Sequence, residues 1–157
     1  MEFEQLLAEF QGIIHKVCRL YRDTPADRED LFQEIAYQLW RAYPNYRHEA
    51  APTTWIYRIA LNTALAAFRR KRPDLRYPGE MPDRPADVTN DEQEHRRELF
   101  WRALRQLPDG EKALMMLYLE DLSYQEIAAV TGISENNVGV KLNRIKTKLK
   151  NLLNGRI

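Results

Sequence analysis

Little in this chain of 157 residues suits a sheet, a disulfide or a membrane span. It has only six glycines and no β-branched runs, which argues against hairpins and strands. Its single cysteine, Cys18, cannot form an intramolecular disulfide, and nothing asks for an oxidising compartment. No apolar run approaches the roughly 18 residues of a spanning helix, and 30% of the residues are charged. The amino terminus, Met1-Glu2-Phe3-Glu4-Gln5, is acidic where a secretory signal is basic and then apolar. A soluble, cytoplasmic protein with no membrane insertion is expected. Signatures of catalysis are missing too. There is no glycine-rich phosphate loop, and Ser134 lacks the glycine pattern of a nucleophile elbow. His15, His48 and His95 are far apart in sequence and have no cysteine nearby. The one metal-like spacing is Glu92-x-x-His95, which a helical di-iron site needs twice. No catalytic residue, metal or cofactor is expected.

What is present is charge, unevenly placed. The 24 basic and 23 acidic residues sum to +1, which on its face argues against nucleic acid. By position the sum is a cancellation. Asp23, Asp27, Glu29, Asp30 and Glu34 meet only Arg28 between residues 23 and 34. From Ala50 to Pro73 there is no acid, and the stretch ends Arg69-Arg70-Lys71-Arg72. After Gly139, Lys141, Arg144, Lys146, Lys148, Lys150 and Arg156 again face no acid. Two basic surfaces and one acidic one, each with its own partner, is the reading this supports over merely solvated helix faces.

Apolar residues recur at spacings of three and four, the helical period. Phe3 to Tyr21 reads as a first amphipathic helix. Thr24-Pro25-Ala26-Asp27 opens a second, with a hydroxyl cap and proline at the first helical position. That helix runs through Leu31, Ile35 and Leu39 until Pro44 stops it. A third begins near Thr53. Four prolines between residues 73 and 85, with net negative charge and no periodicity, predict a flexible acidic linker over residues 75–92. The fold class expected is all-α: two small helical domains, residues 1–74 and 93–157, on a tether.

The second domain carries the sharper motif. Ser123-Tyr124-Gln125-Glu126 is a capping box. The helix it opens ends at Thr131-Gly132-Ile133, where Gly132 can take a left-handed turn. Ser134 caps the next helix, whose Val138, Leu142, Ile145 and Leu149 fall in a stripe about 60° wide. Asn136, Val140, Asn143 and Arg144 lie opposite, with Asn137 and Lys141 on a flank. Helix, glycine turn and helix with a polar, basic outer face is the helix-turn-helix pattern. Asn can bridge adenine N6 and N7 and Arg guanine O6 and N7, while lysines such as Lys148 reach phosphates. Gly139 costs this helix about 1 kcal/mol relative to Ala and is expected to allow close approach to DNA.

Asp30-Leu31-Phe32-Gln33-Glu34-Ile35 and Trp55-Ile56-Tyr57-Arg58-Ile59-Ala60-Leu61-Asn62 resemble the region-two signatures of bacterial extracytoplasmic-function sigma factors, of the sigma-70 superfamily. Leu107-Pro108, Leu122 to Ala128 and Gly132-Ile133-Ser134 are similar to their region four. The two occur in the expected order and cover most of the chain. The resemblance implies a protein that binds core RNA polymerase and directs promoter recognition and transcription initiation. It implies that Asp30, Leu31, Gln33 and Glu34 meet the β′ clamp helices and that the second domain rests on the β flap. It assigns Tyr46, Arg47, His48, Trp55, Arg58, Asn62, Arg69 and Arg70 to the minus-ten element of promoter DNA. Asn136, Asn137, Val140, Lys141, Arg144 and Lys148 fall to the minus-thirty-five element, and an anti-sigma factor is implied as regulator.

Physical features accompany each assignment. Asp30 and Glu34, at i and i+4, share a helical face and repel by a few tenths of a kcal/mol, a cost a basic partner relieves. Unpaired bases need stacking surfaces and a cationic track. Tyr43, Tyr46, Trp55 and Tyr57 are candidates for the first, unless they pack in the core. The chain departs from the family pattern at His48, where a small residue is usual, near Pro52, where an aromatic is usual, at Ala66, where an Asp is usual, and at Gly139-Val140, where a basic and a small polar residue are usual. The competing reading is a one-component helix-turn-helix regulator with a helical sensor or dimerisation domain. Such a regulator would need neither the acidic face nor the aromatic, basic third helix.

Overall fold

A computed structural model describes residues 2–70 and 92–154, with side chains through residue 66 in the first block. All secondary structure among the described residues is helical, and the chain divides into two compact units, Met1–Asp83 and Arg84–Ile157. The expected linker lies almost wholly outside the described residues.

The first unit holds α1 (Phe3–Tyr21), α2 (Pro25–Ala42) and α3 (Pro52–Arg70), each packed on the other two. The start of α2 is as the sequence predicts: the Asp27 N–H donates to Thr24 Oγ1 at 3.1 Å, with Pro25 in the first turn. Its buried stripe is Leu31, Ile35 and Leu39. At the other end Pro44 does not simply stop the chain. Tyr43–Asn45 continue as one 3-10 turn, closed by the Tyr46 N–H on the Tyr43 carbonyl at 3.0 Å. Proline fits the first turn of such a helix because its missing N–H has no partner there. α3 is the most deeply set of the three, burying Trp55, Ile56, Tyr57, Ala60, Leu61 and Ala64. Thr63, also buried, satisfies its hydroxyl by donating to the Ile59 carbonyl at 2.7 Å. The long first helix bends at Phe10 (φ −109°, ψ 16°), a feature its periodicity does not disclose.

The second unit comprises α4 (Glu92–Arg105), α5 (Asp109–Leu119), α6 (Tyr124–Thr131) and α7 (Glu135–Asn154). Ala113 to Leu117 are buried without a break, which makes α5 an internal helix. Asp121 (φ 67°) turns the chain after α5. The Leu122 N–H returns to the Leu117 carbonyl (3.2 Å) and the Asp121 N–H to that of Tyr118 (3.0 Å), a Schellman ending with aspartate in the left-handed position. α7 packs on α4, α5 and α6 through Val138, Leu142, Ile145 and Leu149, all buried.

Gly139 also has a neighbour that its sequence does not suggest. A Cβ there would lie 3.2 Å from Cε2 of Tyr124, so the glycine accommodates the Tyr124 ring against α7. That ring sits at the surface and can shift a few tenths of an ångström cheaply. Gly139→Ala should therefore stabilise the second unit by somewhat less than the ~1 kcal/mol propensity gain. Native-state hydrogen exchange of the α7 amides should slow; faster exchange would mean that the ring cannot yield.

Cys18 is buried in the first unit, and burial pushes its thiol up from 9.0 to about 11, against a smaller lowering by Arg22 and Arg28. The raised value means that the folded form favours the neutral thiol. The resulting stabilisation is complete below pH 9 and disappears as pH rises to about 11. Denaturation across that range should show a steeper loss for the natural chain than for Cys18→Ala.

Candidate functional site

Three surfaces collect the residues singled out by sequence. The first is the outer face of α2. Asp30 and Gln33 are exposed and Glu34 is partly so, with its Oε2 accepting from Gln38 Nε2 at 3.0 Å. Leu31 is a correction: it is 3% exposed and faces the core, so it seats the helix and is closed to a partner. Two residues that sequence reasoning passed over extend the same face. Tyr37 (50% exposed) and Trp40 (59%) stack at 6.3 Å, and the Arg41 guanidinium lies 5.9 Å from the Tyr37 centroid. The signal was available: both aromatics fall opposite the Leu31–Ile35–Leu39 stripe, where a large apolar side chain has no core to enter. The face is thus acidic at its start and aromatic at its end.

The second surface is built around the start of α3. Trp55 is 8% exposed, so it does not offer its own ring to a ligand. Instead it supports others. Tyr46 stacks on it with centroids 4.4 Å apart and planes 16° apart, and His48 follows at 4.2 Å from Tyr46. Tyr43 lies 6.3 Å from Trp55 on another side and meets Phe3 of α1 at 5.5 Å. The Tyr46 hydroxyl donates to the Ala50 carbonyl at 2.7 Å, closing the loop. Burial, and then the neighbouring Tyr43, push its phenol upward in pKa, which keeps that donor protonated. His48 has φ 58°, a left-handed conformation. For a residue with a Cβ this costs about 1–2 kcal/mol, which explains why a small residue is usual at the matching family position. Arg47, His48 and Asn62 are exposed and Arg58 is half-buried. Tyr57 takes the other of its two possible roles: at 1% exposure it belongs to the core and is no stacking surface. The side chains of Arg69 and Arg70, at the end of α3, lie outside the described residues.

The third surface is the outside of α7. Both caps form as read from sequence. Ser123 and Glu126 exchange hydrogen bonds with each other's backbone (3.1 and 2.8 Å), and the Asn137 N–H donates to Ser134 Oγ at 3.2 Å. Gly132 takes φ 84° and its N–H reaches the Ala128 carbonyl. Asn136, Asn137, Val140, Lys141, Asn143 and Arg144 are all exposed. Lys148 is exposed as well, but it is engaged within the unit. Its Nζ contacts both carboxylate oxygens of Glu111, at 2.9 and 3.1 Å, so the side chain ties α7 to α5 and its charge is partly neutralised. Next to it Lys146 donates to the Tyr118 hydroxyl at 3.1 Å and lies 4.2 Å from the ring centroid. Among the described residues no cluster of His, Cys, Asp and Glu could hold a metal ion, and no helix is long and apolar enough to cross a membrane.

Residues 6–73 match the family model for sigma-70 region 2, and residues 97–149 that for sigma-70, region 4. The ECF RNA polymerase sigma-E factor of Escherichia coli K12 is 31% identical, over 95% of this chain and 85% of its own. The chain belongs to the extracytoplasmic-function sigma factors. The ECF sigma factor SigM of Mycobacterium tuberculosis is 28% identical over 96% of this chain and 76% of its own. Similar folds occur in RpoE of Bartonella quintana, solved with the anti-sigma factor NepR (TM-score 0.78, 18% identity, 97% and 96% of the two chains). Another is CnrH, solved with the cytosolic domain of CnrY (TM-score 0.71, 23% identity, 98% and 88%). A sigma factor binds core polymerase and directs transcription initiation by recognising promoters, and the regulator reading is not favoured: both regions match in order.

The Glu111 pair separates two lysines of this sigma factor that look alike in sequence. Lys141→Ala should weaken promoter-duplex binding by the holoenzyme and reduce its salt slope by about 1. Lys148→Ala should leave that slope nearly unchanged and act on the stability of the second unit. Binding titrations across salt concentrations distinguish them, and equal slope changes would return Lys148 to the DNA face.

Proposed function

We propose that this sigma factor divides its work among the three surfaces described. The acidic and aromatic face of α2, from Asp30 and Gln33 through Glu34 to Tyr37 and Trp40, docks on the β′ clamp helices of polymerase. The observation that carries this is the face itself: a stacked aromatic pair left in solvent beside two carboxylates at i and i+4. A basic, partly apolar partner covers the rings and relieves the repulsion together.

The loop around Tyr46, Arg47 and His48, with Trp55 beneath it and Arg58 and Asn62 nearby, takes the opened minus-ten strand. Arg69 and Arg70 prolong the acid-free track. Asn136, Asn137, Val140, Lys141 and Arg144 read the minus-thirty-five duplex in the major groove. An open groove of about 440 Å³ in the second unit, lined by Phe100, Met115, Leu119 and Leu153 and edged by Lys146 and Lys150, suits the β flap. In this reading the domains are residues 1–74 and 93–157, joined by an acidic linker. The sigma factor makes and breaks no bond, since the chemistry belongs to polymerase, and it acts in the cytoplasm, where polymerase is. An anti-sigma factor covers the same surfaces; in support, RpoE of Bartonella quintana was solved with the anti-sigma factor NepR.

Core polymerase assembled with Asp30→Lys or Trp40→Ala tests the docking face. Pull-down should show at least a tenfold loss of affinity for each, with the fold retained because both side chains are exposed. Normal binding by both variants would refute the assignment of α2.

A further inference from the structure

The outer face of α7 has one member that cannot form a side-chain hydrogen bond. Val140 lies about 190° from the centre of the buried Val138, Leu142, Ile145 and Leu149 stripe, counted at about 100° per residue. It is 43% exposed. Asn136 and Asn143 flank it on one side and Asn137 and Arg144 on the other, all four exposed. A lone exposed valine is ordinary on a protein surface. This one stands at the centre of a face whose other members carry donors or acceptors, directly opposite the core. It also follows Gly139, so two weaker helix formers stand in succession in the helix assigned to the groove. The Tyr124 ring accounts for the glycine, since a Cβ there would lie 3.2 Å from its Cε2. Exposure leaves the valine unexplained by the fold.

We propose that the isopropyl group of Val140 packs on the C5 methyl of one thymine in the minus-thirty-five duplex and thereby fixes a T·A pair at that position. This deepens the minus-thirty-five assignment above and rests on it. In the major groove thymine alone presents a methyl group, beside its O4 acceptor, whereas cytosine presents the N4 donor. Valine can bond to neither O4 nor N4, so it discriminates by excluding water from the methyl. Cytosine at the same place loses that contact and sets its N4 donor against an apolar group. The flanking asparagines and Arg144 can bond to neighbouring base edges, and Val140 adds an apolar reading at their centre. A small polar residue, usual at this family position, gives the methyl no such partner, so the preference is particular to this chain.

The test uses holoenzyme assembled from core polymerase and the full chain. The probe is a labelled duplex carrying the minus-thirty-five region of a promoter mapped by this holoenzyme's own start sites. Each thymine of that region, on either strand, is replaced singly by deoxyuridine, which removes the methyl and keeps the pairing. With the natural chain, one replacement should weaken binding about fourfold, the worth of burying one methyl group. Val140→Ser, at an exposed position that leaves the core untouched, should bind the intact duplex about fourfold more weakly and ignore that replacement. Val140→Ile, which keeps a branched apolar group, should remain sensitive to it. Identical deoxyuridine profiles for Val140→Ser and the natural chain, or no sensitive thymine with the natural chain, would overturn the proposal. A natural holoenzyme that binds equally well when the whole region is scrambled would overturn the minus-thirty-five assignment as well, so the two failures are distinguishable.

Discussion

The packing of Trp55 at the start of α3 governs how the first unit presents itself. One indole contacts Tyr43 from the 3-10 turn and Tyr46 from the loop, while Tyr43 in turn meets Phe3 of α1. Removing the indole would therefore loosen the joint between α2 and α3 as well as a core position. Because aromatic pairs prefer defined offsets and tilts, they specify loop geometry in a way that aliphatic packing does not. The exposed residues Arg47 and His48 inherit their positions from this buried ring.

The second unit obtains its geometry from hydrogen bonds at helix ends. Two serine caps, the left-handed Gly132 and the Schellman ending at Asp121 decide where α5 stops, where α6 starts and stops, and where α7 starts. The buried stripe of α7 then decides its rotation, turning Asn136, Val140 and Arg144 outward. Two cross-ties from α7 to α5, Lys148 with Glu111 and Lys146 with Tyr118, hold its later half. Half-exposed pairs of this kind contribute little individually, so the stripe carries most of the docking energy.

Charge is arranged with the same economy. Asp30 of α2 and Lys141 and Arg144 of α7 sit on faces that the core does not use, so their positions can suit partners. A total of +1 is the sum of these unlike surfaces and describes none of them.

Much of the structure is legible from local pattern. Helical period, the Thr24, Ser123 and Ser134 caps and the left-handed Gly132 act within a few residues of chain, and the sequence by itself determined them. It also determined the outward placing of Asp30, Gln33 and Arg144, which follows from the stripe on the same helix. What only the tertiary structure decided involves partners distant in sequence. Periodicity could place Lys148 beside the DNA face but could not supply Glu111, 37 residues away. It could not tell that Tyr57 is core while Tyr46 stacks on Trp55, nor that Gly139 leaves room for Tyr124. The physical reason is range. Capping and amphipathic rotation are near-neighbour effects, whereas the use made of an aromatic ring or a charge depends on which other helix arrives beside it.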